Sequence, residues 1–298
     1  MWLLTELKKR KKEDKPAVIC RERCLTYRQL WEQSEQIAQK MLGDLQTKAP
    51  ILIYGNKNNE IIPVMVAALK TGRAYVPVDV TFPVERLSRI QKITEAEMVF
   101  NFSHADLGEL SKDCLVIQEN DYAEIIADTV SGEVPEDQWV QGEDNCYILF
   151  TSGSTGDPKG VQITKNNILN FVGWFSGYAA VPEGAAVLNQ VSYSFDVSVI
   201  QLYIYLAYGA TLFSIDKGMI EDFGELFHYL VESDISAWVS TPAFIEMCAV
   251  YNSFDSGLLP NLQKIILAGE VLTKKLTRAL WDKFPGVQVI NGYGPTEG

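Results

Sequence analysis

Histidine is nearly absent from this sequence of 298 residues, which contains only His104 and His228. Neither belongs to a recognisable catalytic or metal-ligand pattern, so we expect each to be a surface or core residue. The five cysteines are odd in number and form no CxxC pair, which argues against a disulfide framework and against a zinc site. Cys20 and Cys24, four residues apart, are expected to be free thiols.

Positive charge is also scarce, since 26 Lys and Arg residues against 38 Asp and Glu residues give a net charge of −12. A nucleic-acid or anionic-membrane surface needs a basic face, so neither partner is expected. A polyphosphate substrate would instead be held by local donors and a metal ion. No apolar run reaches the length of a membrane span, and the first residues lack the apolar core and cleavage site of a signal peptide. We therefore expect a cytoplasmic protein without membrane insertion.

The 47% hydrophobic and 21% charged content is typical of a globular protein with a sizeable core. Residues 51–54 predict a strand, residues 59–71 a helix that stops at Gly72, and residues 74–79 a second strand. Such alternation predicts a parallel sheet covered by helices. Further strands are expected at 17–20, 99–101, 114–117, from 147, and at 186–190, 210–215, 237–240, 264–268 and 287–291. Further helices are expected at 3–12, 27–42 with Thr26 as its cap, 165–176, 197–208, 223–232, and from 269–271 onward.

The stretch 147–160, YILFTSGSTGDPKG, passes from an apolar strand into a loop of Gly, Ser, Thr and Lys. Its glycines permit positive φ and close approach to a ligand, its hydroxyls and N–H groups can form an anion nest, and its lysine adds a positive charge. A Walker A loop is excluded because Lys159 follows Pro158 and precedes Gly160. A flexible loop is the alternative, but a new apolar strand at 161–163 follows at once. The sequence predicts a phosphate cradle whose members are Thr151, Ser152, Gly153, Ser154, Thr155, Gly156, Lys159 and Gly160.

TSGSTGDPKG resembles the signature loop of the adenylate-forming superfamily, which includes acyl-coenzyme A synthetases, luciferases and the adenylation domains of peptide synthetases. The resemblance implies that the cradle holds the pyrophosphate end of ATP. NGYGPTE at 291–297 resembles the adenine and phosphate motif of that family. It implies adenine stacking on Tyr293, donation from Thr296 to the α-phosphate, and Mg²⁺ on Glu297, a hard oxygen ligand. Thr296, Glu297 and Lys159 are the expected catalytic residues. Further nucleotide contacts are expected from Gly269, Glu270, Asn291, Gly292, Gly294 and Pro295.

Asp196, in SYSFDVSV, predicts the N-cap of the helix 197–208 on general grounds. The segment also resembles the Phe-Asp motif of amino-acid adenylation domains, which implies that Asp196 binds the α-ammonium of an amino acid. A charge-assisted hydrogen bond of this kind is roughly twice as strong as a neutral one, and acetate or fatty acids have no ammonium to bind. The side-chain pocket implied by the resemblance is apolar and favours a compact, uncharged amino acid. Its expected lining is Val197, Ile200, Val239, Ile266, Ala268 and Gly292.

The superfamily resemblance implies an α/β fold with two mostly parallel sheets and helices in a layered α/β/α/β/α core. We expect one subdomain at about 51–188 and a second at about 1–50 plus 189–298. The family's core continues to a ribose-binding Asp, a hinge and a small C-terminal domain with a catalytic Lys. Since these are missing here, the chain is expected to bind nucleotide but to be weak or inactive alone.

Within the superfamily, LNQVSYSFDVSVIQLY, SIDKGMI and VSTPAFIEMC resemble the D-alanine carrier-protein ligases. This implies that D-alanine is activated with ATP and passed to the phosphopantetheine thiol of a carrier protein, for D-alanylation of lipoteichoic acid. Ala268 stands where those ligases have Cys, which leaves the amino acid and its chirality open. Two alternatives remain: an adenylation domain of a nonribosomal peptide synthetase for a small apolar L-amino acid, and an inactive nucleotide-binding or interaction fragment.

Overall fold

The computed structural model describes residues 2–108, 110–128, 132–152 and 158–297. The strands are β1 Pro16–Cys20, β2 Arg23–Thr26, β3 Ile51–Gly55, β4 Tyr75–Asp79, β5 Met98–Asn101, β6 Leu115–Gln118, β7 Asn145–Ser152, β8 Pro158–Thr164, β9 Ala186–Asn189, β10 Thr211–Ser214, β11 Ile235–Ser240, β12 Lys264–Leu267 and β13 Gln288–Asn291. The helices are α1 Leu3–Lys9, α2 Tyr27–Asp44, α3 Ile61–Lys70, α4 Val84–Thr94, α5 Leu110–Asp113, α6 Glu119–Ala127, α7 Lys165–Ala179, α8 Lys217–Glu221, α9 Phe223–Val231, α10 Pro242–Ala249 and α11 Lys274–Lys283. Two 3₁₀ turns, Glu136–Gln138 and Asp196–Ser198, and a π-helix, Ile200–Leu206, complete the described secondary structure.

Within the described ranges the strands form two sheets, one in the order β13-β12-β11-β9-β10-β1-β2 and one in the order β6-β5-β3-β4-β7-β8. Their pairings are parallel except for two antiparallel pairs, β1 with β2 and β7 with β8. The prediction of two mostly parallel sheets is therefore confirmed. Parallel strands are covered on both faces, and this explains why β3 and β4 are buried at every residue.

Alternate side chains of each strand enter different cores, as the two-residue period of a strand requires. In β3, Ile51 and Ile53 face a central core, while Leu52 enters the outer core of that sheet. In β12, Ile266 faces the same central core, while Ile265 enters the outer core of the other sheet. The central core therefore lies between the two sheets, and it also contains side chains of α1, α2, α3, α6, α7 and the π-helix.

The outer faces of the sheets are covered by separate groups of helices. Helices α8, α9, α10 and α11 contribute to the core outside the seven-stranded sheet, and α4 and α5 contribute to the core outside the six-stranded sheet. With the central helices, this gives five layers in the order helix, sheet, helix, sheet, helix. The predicted α/β/α/β/α arrangement agrees with this architecture.

Several local predictions are confirmed and others need correction. Thr26 caps α2 in a capping box, since it accepts from the N–H of Gln29 at 3.2 Å and its own N–H donates to the Gln29 side chain at 2.9 Å. The helix expected from 269–271 begins only at Lys274, with Thr273 as its cap. Gly269 has φ +90°, which is outside the helical region.

The helix expected over 197–208 is a 3₁₀ turn followed by a π-helix. Asp196 is not its N-cap, because Phe195 occupies that position and no side chain caps the turn. The Asp196 carboxylate instead accepts a hydrogen bond from Thr296. The apolar pattern of this segment does not distinguish an α-helix from a π-helix, which is rare and often found at functional sites.

The two sheets draw on different parts of the sequence. The six-stranded sheet is built from residues 51–164, and the seven-stranded sheet from residues 16–26 and 186–291. Strand β9, whose first three residues fall inside the predicted first subdomain, thus pairs within the other sheet. The division into subdomains stays a prediction.

Candidate functional site

A cavity of about 260 Å³ lies at the carboxyl ends of β12 and β13, the edge where α/β sheets commonly bind ligands. It brings together residues that are far apart in the sequence. Predicted site residues on its wall are Asp196, Val197, Ile200, Ile266, Ala268, Gly269, Gly292, Tyr293, Gly294, Pro295 and Thr296. Further wall residues are Tyr147, Ile163, Asn167, Ile168, Phe171, Trp174, Phe175 and Val199.

Asp196 and Thr296 make the central polar contact of this cavity. The Thr296 hydroxyl donates to Oδ2 of Asp196 at 2.9 Å, and both residues are half-buried. Burial and the negative charge of Asp196 raise the pKa of the nearby Tyr147 phenol above its ordinary value, so that this wall residue stays neutral. Among the described residues that line the cavity, Asp196 is thus the one carboxylate, and the others are neutral.

The end of the cavity beside β12 and β13 is built from very small residues. A Cβ added to Gly292 would lie 3.3 Å from the Cβ of Ala268, and the Gly292 N–H donates to the Leu267 carbonyl at 2.8 Å. This hydrogen bond continues the β12–β13 pairing past the last residue of β13. The two small side chains leave room at the strand ends, and a larger residue at either position would fill it.

Four members of the predicted phosphate cradle, Gly153, Ser154, Thr155 and Gly156, lie between β7 and β8 in the sequence and outside the described residues. Thr151 and Ser152 belong to β7 and pair with Lys159 and Pro158 of β8. Lys159 is exposed and makes no ion pair with any residue that the structure describes.

Gly160 does not use the positive φ that glycine permits, because its φ is not positive. An added Cβ would lie 2.9 Å from Cγ2 of Ile148 and 3.0 Å from Cζ of Phe150. Close packing against β7 therefore requires glycine at this position.

The predicted adenine and metal residues lie at the mouth of the cavity or beside it. Tyr293 is 98% exposed, so its ring is free to stack on a planar group. Glu270 is exposed and accepts from the N–H of Ala243, at the start of α10, at 2.9 Å.

Glu297 is an exposed carboxylate directly after Thr296. Mg²⁺ commonly uses one or two carboxylates together with substrate phosphates and water, so Glu297 fits this ion in the presence of a nucleotide. No cluster of three potential ligands occurs within the described parts of the chain.

Helix α7 supplies a wall that the sequence analysis missed. Phe171 and Phe175 stack with ring centroids 5.4 Å apart, and Trp174 lies 5.5 Å from Phe175. Trp174 is 65% exposed, which places it at the opening of the cavity. The signal in the sequence was aromatic residues at helical spacing, 171, 174, 175 and 178, but that pattern alone does not reveal which helix faces a site.

One predicted pocket residue lies elsewhere. Val239 is fully buried in the central core and pairs with Ile266 across β11 and β12, and it does not line the cavity. A wider cleft of about 1050 Å³ contains both histidines and none of the predicted site residues. Its Arg21 is paired with Asp216 and Glu225, so the smaller cavity is the better candidate.

The chain belongs to the AMP-binding enzyme family, because the model of that family matches residues 5–298. Among curated proteins, it is 38% identical to the D-alanine–D-alanyl carrier protein ligase of Bacillus mycoides (strain KBAB4) and 37% identical to that of Bacillus cereus (strain B4264). Both alignments run over 301 residues and cover 100% of this chain. The chain spans 59% of the length of each of these relatives.

Solved structures of the same fold include the nonribosomal peptide synthetase FmoA3 (S1046A), with a TM-score of 0.86 and 22% identity over 100% of this chain and 32% of that one. The N-terminal subdomain of Klebsiella oxytoca NpsA, bound to 3-hydroxybenzoyl-AMSN, gives a TM-score of 0.82 and 22% identity over 99% of this chain and 72% of that one. At these identities the comparison shows the fold alone. Among the helices that the structure describes, none is long and apolar enough to cross a lipid bilayer.

Proposed function

We propose that this protein activates a small amino acid, D-alanine, as its aminoacyl-adenylate with ATP, and passes the acyl group to the phosphopantetheine thiol of a carrier protein. The observation that carries the proposal is the carboxylate of Asp196 in a cavity of about 260 Å³ whose end is formed by Ala268 and Gly292. Similarity to curated D-alanine–D-alanyl carrier protein ligases supports the choice of amino acid and of carrier protein.

On the amino-acid side, Asp196 binds the α-ammonium and the small residues at the strand ends accept the side chain. We expect the end of the cavity at Ala268 and Gly292 to accept a methyl group more readily than a β-branched or charged side chain, because both residues there are small. The apolar wall residues Val197 and Ile200, both buried, offer no partner to a polar side chain. The cavity therefore selects against amino acids with polar side chains, because the polar groups of those side chains would be left without hydrogen bonds.

On the nucleotide side, Tyr293 stacks on adenine and Lys159 neutralises the terminal phosphates together with the cradle. Thr296 has a single hydroxyl hydrogen, so it cannot donate to Asp196 and to the α-phosphate at once. Arrival of the α-ammonium at Asp196 therefore frees the Thr296 hydroxyl for the phosphate. A magnesium ion bound by Glu297 and the phosphates would offset negative charge on the transferring group.

The reaction needs positioning and charge neutralisation rather than a covalent intermediate with the protein. A carboxylate oxygen of the amino acid attacks the α-phosphorus and forms a new O–P bond. The bond from the α-phosphorus to the oxygen that bridges to the β-phosphorus breaks, and pyrophosphate leaves with the electron pair. In the second step the thiolate of the carrier attacks the acyl carbon, and AMP leaves.

The test is amino-acid-dependent exchange of radiolabelled pyrophosphate into ATP, with D-Ala, L-Ala, Gly, L-Ser, L-Leu and L-Phe as alternative substrates. Preference for D-Ala supports the proposal and shows that Ala268 is compatible with it. Preference for an L-amino acid would assign the chain to the peptide-synthetase type of adenylation domain. ATP binding without exchange for any amino acid would favour a catalytically inactive nucleotide-binding fragment.

The aromatic wall of α7 supports a second candidate substrate class, a larger apolar L-amino acid. Phe171, Trp174 and Phe175 line the same cavity as Asp196, and stacking on such rings favours aromatic or long aliphatic side chains. The L-Leu and L-Phe arms of the exchange assay address this candidate directly. If the second candidate is correct, substitution of Trp174 by Ala should lower pyrophosphate exchange with L-Leu and L-Phe and leave exchange with D-Ala unchanged.

A further inference from the structure

Lys57 is a buried lysine outside the cavity, with no role in the chemistry above. It lies two residues beyond the end of β3, is 2% exposed, and forms no ion pair with any carboxylate in the described ranges. Its Nζ donates to Oδ1 of Asn189 at 2.8 Å and to the Val191 carbonyl at 2.5 Å. It also lies 3.6 Å from the ring centroid of Tyr193. Burial holds the pKa of Lys57 well below its ordinary value, although the nearby negative charge of Asp79 acts to raise that pKa.

A buried lysine without a carboxylate partner is costly compared with an apolar residue, so its contacts need an explanation. All three are made to one segment, residues 189–193, which begins at the last residue of β9. Lys57 therefore ties the end of a strand in the six-stranded sheet to the end of a strand in the seven-stranded sheet.

Asp79, the last residue of β4, holds the same segment from a neighbouring strand. Its Oδ2 accepts from the Ser192 hydroxyl at 2.6 Å and from Nδ2 of Asn56 at 2.9 Å. The Ser194 hydroxyl donates to the Pro77 carbonyl at 3.0 Å. Residues 189, 191, 192 and 194 are thus each tied to β4 or to the loop after β3, and Asp196 follows two residues later.

We propose that Lys57, with Asp79, is a positioning residue that fixes the place of the Asp196 carboxylate in the cavity. This positioning role rests on the proposed function, because that function assigns the Asp196 carboxylate to the α-ammonium of the amino acid. The contacts lie on the six-stranded sheet, whereas most of the cavity's end is built by the seven-stranded sheet. Lys57 and Asp79 therefore set the distance between the ammonium-binding carboxylate and the pocket at Ala268 and Gly292.

The first experiment measures the segment itself and needs no substrate. Hydrogen exchange followed by mass spectrometry is compared for the wild-type chain, Lys57→Met and Lys15→Met. Lys15 is a matched control, because it is half-buried and donates to the Gly209 carbonyl away from the cavity. Lys57→Met should raise exchange of the amides in 190–198 by at least about tenfold, since local opening becomes easier there, with α9 to α11 unchanged. Equal exchange of 190–198 in all three proteins would overturn the proposal.

The second experiment measures binding by calorimetry with two probes, D-alanyl-sulfamoyladenosine and a non-hydrolysable ATP analogue. Lys57→Met should raise the Kd of the aminoacyl probe by about tenfold or more, because small misplacements of a binding group are costly. The Kd of the ATP analogue should change by less than about twofold. In an Asp196→Asn background the same substitution should have no further effect on the aminoacyl probe. An equal loss in both backgrounds would show that Lys57 acts through general stability and would refute the positioning role.

Failures of the two proposals can be told apart. If the wild-type chain binds the ATP analogue but not the aminoacyl probe, the proposed function fails while hydrogen exchange still decides whether Lys57 holds the segment. If Lys57→Met does not fold, Ser192→Ala takes its place, since it removes one contact to Asp79 from a half-buried position. A smaller rise in exchange confined to 190–198 is then expected, and its absence overturns the proposal.

Discussion

The buried ion pair between Lys70 and Glu35 offers a direct test of the energetics of the central core. Lys70 ends α3 and is fully buried, and its Nζ donates to Oε1 of Glu35 and to the Ser34 hydroxyl, each at 2.7 Å. The ammonium also lies 3.3 Å from the ring centroid of Trp31. The other carboxylate oxygen of Glu35 accepts from the N–H of Val134 at 2.8 Å. Substitution of Lys70 by Met keeps the volume but leaves the buried Glu35 carboxylate with the Val134 N–H as its one donor among the described residues.

Removal of one partner of a buried pair typically costs about 3–5 kcal/mol, because the remaining charge has no compensation. For a chain of this size we expect a fall in melting temperature on the order of 10 °C. The double variant Lys70→Met/Glu35→Gln should recover about 2 kcal/mol or more of the loss, since no charge is buried and the Gln carbonyl still accepts from Val134. Lys40→Met is the matched control: Lys40 pairs with Asp44 on the surface of α2 at 2.9 Å, and its loss should cost less than about 1 kcal/mol.

The pH dependence gives a second measure of the same pair. Burial lowers the pKa of Lys70 from 10.5 to about 7, although Glu35 favours the ammonium. Between these values the unfolded chain binds more protons than the folded chain, so the contribution of Lys70 to stability rises with pH from about 7 to about 10.5. The free-energy difference between wild type and Lys70→Met should therefore grow over this range.

Urea unfolding followed by circular dichroism at pH 7 and pH 9 measures both effects. A cost of Lys70→Met no larger than that of Lys40→Met, or a double variant as unstable as the single one, would refute a stabilising role for the Lys70–Glu35 pair.

Three further substitutions test the site and the hairpin. Asp196→Asn should raise the KM of the amino acid in pyrophosphate exchange by about 10- to 100-fold, since a hydrogen bond to a charged group is lost, with the KM of ATP nearly constant; an unchanged amino-acid KM would remove the ammonium-binding role. Lys159→Met should have the opposite pattern, a higher KM for ATP with a constant amino-acid KM, and an effect confined to the amino acid would count against the cradle. Gly160→Ala should cost about 1–3 kcal/mol of unfolding free energy, because the added Cβ meets Ile148 and Phe150. Its control is Gly177→Ala, at a helical position where an added Cβ meets no atom of the described chain within 4 Å, and which should gain up to about 1 kcal/mol.

The sequence predicted those features that depend on short stretches of chain. The alternation of strand and helix around Gly72 indicated a parallel sheet, and the capping box at Thr26 depends on residues three positions apart. The stretches around Asp196, Ala268 and 291–297 were identified as site segments by family resemblance, and the structure brings Asp196, Ala268 and residues 292–296 to one cavity. The subdomain boundaries and the individual site roles stay predictions.

What the sequence did not reveal depends on contacts across the fold. The hydroxyl of Thr296 and the carboxylate of Asp196 are 100 positions apart, and Lys57 reaches Val191 over 134 positions. No local pattern encodes such pairs. The aromatic residues of α7 have helical spacing in any environment, and only the packing of α7 against the π-helix and β8 makes them a cavity wall.

The central core has a consequence for how the protein unfolds. Both sheets place alternate side chains in it, and α1, α2, α3 and α7 complete it, so neither sheet can lose its structure without exposing the inner face of the other. A single calorimetric transition is therefore expected, with equal calorimetric and van't Hoff enthalpies. Expression of residues 1–188 alone should give an aggregation-prone product, because it lacks β10 to β13 of the second sheet, and β10, β11 and β12 contribute side chains to the central core.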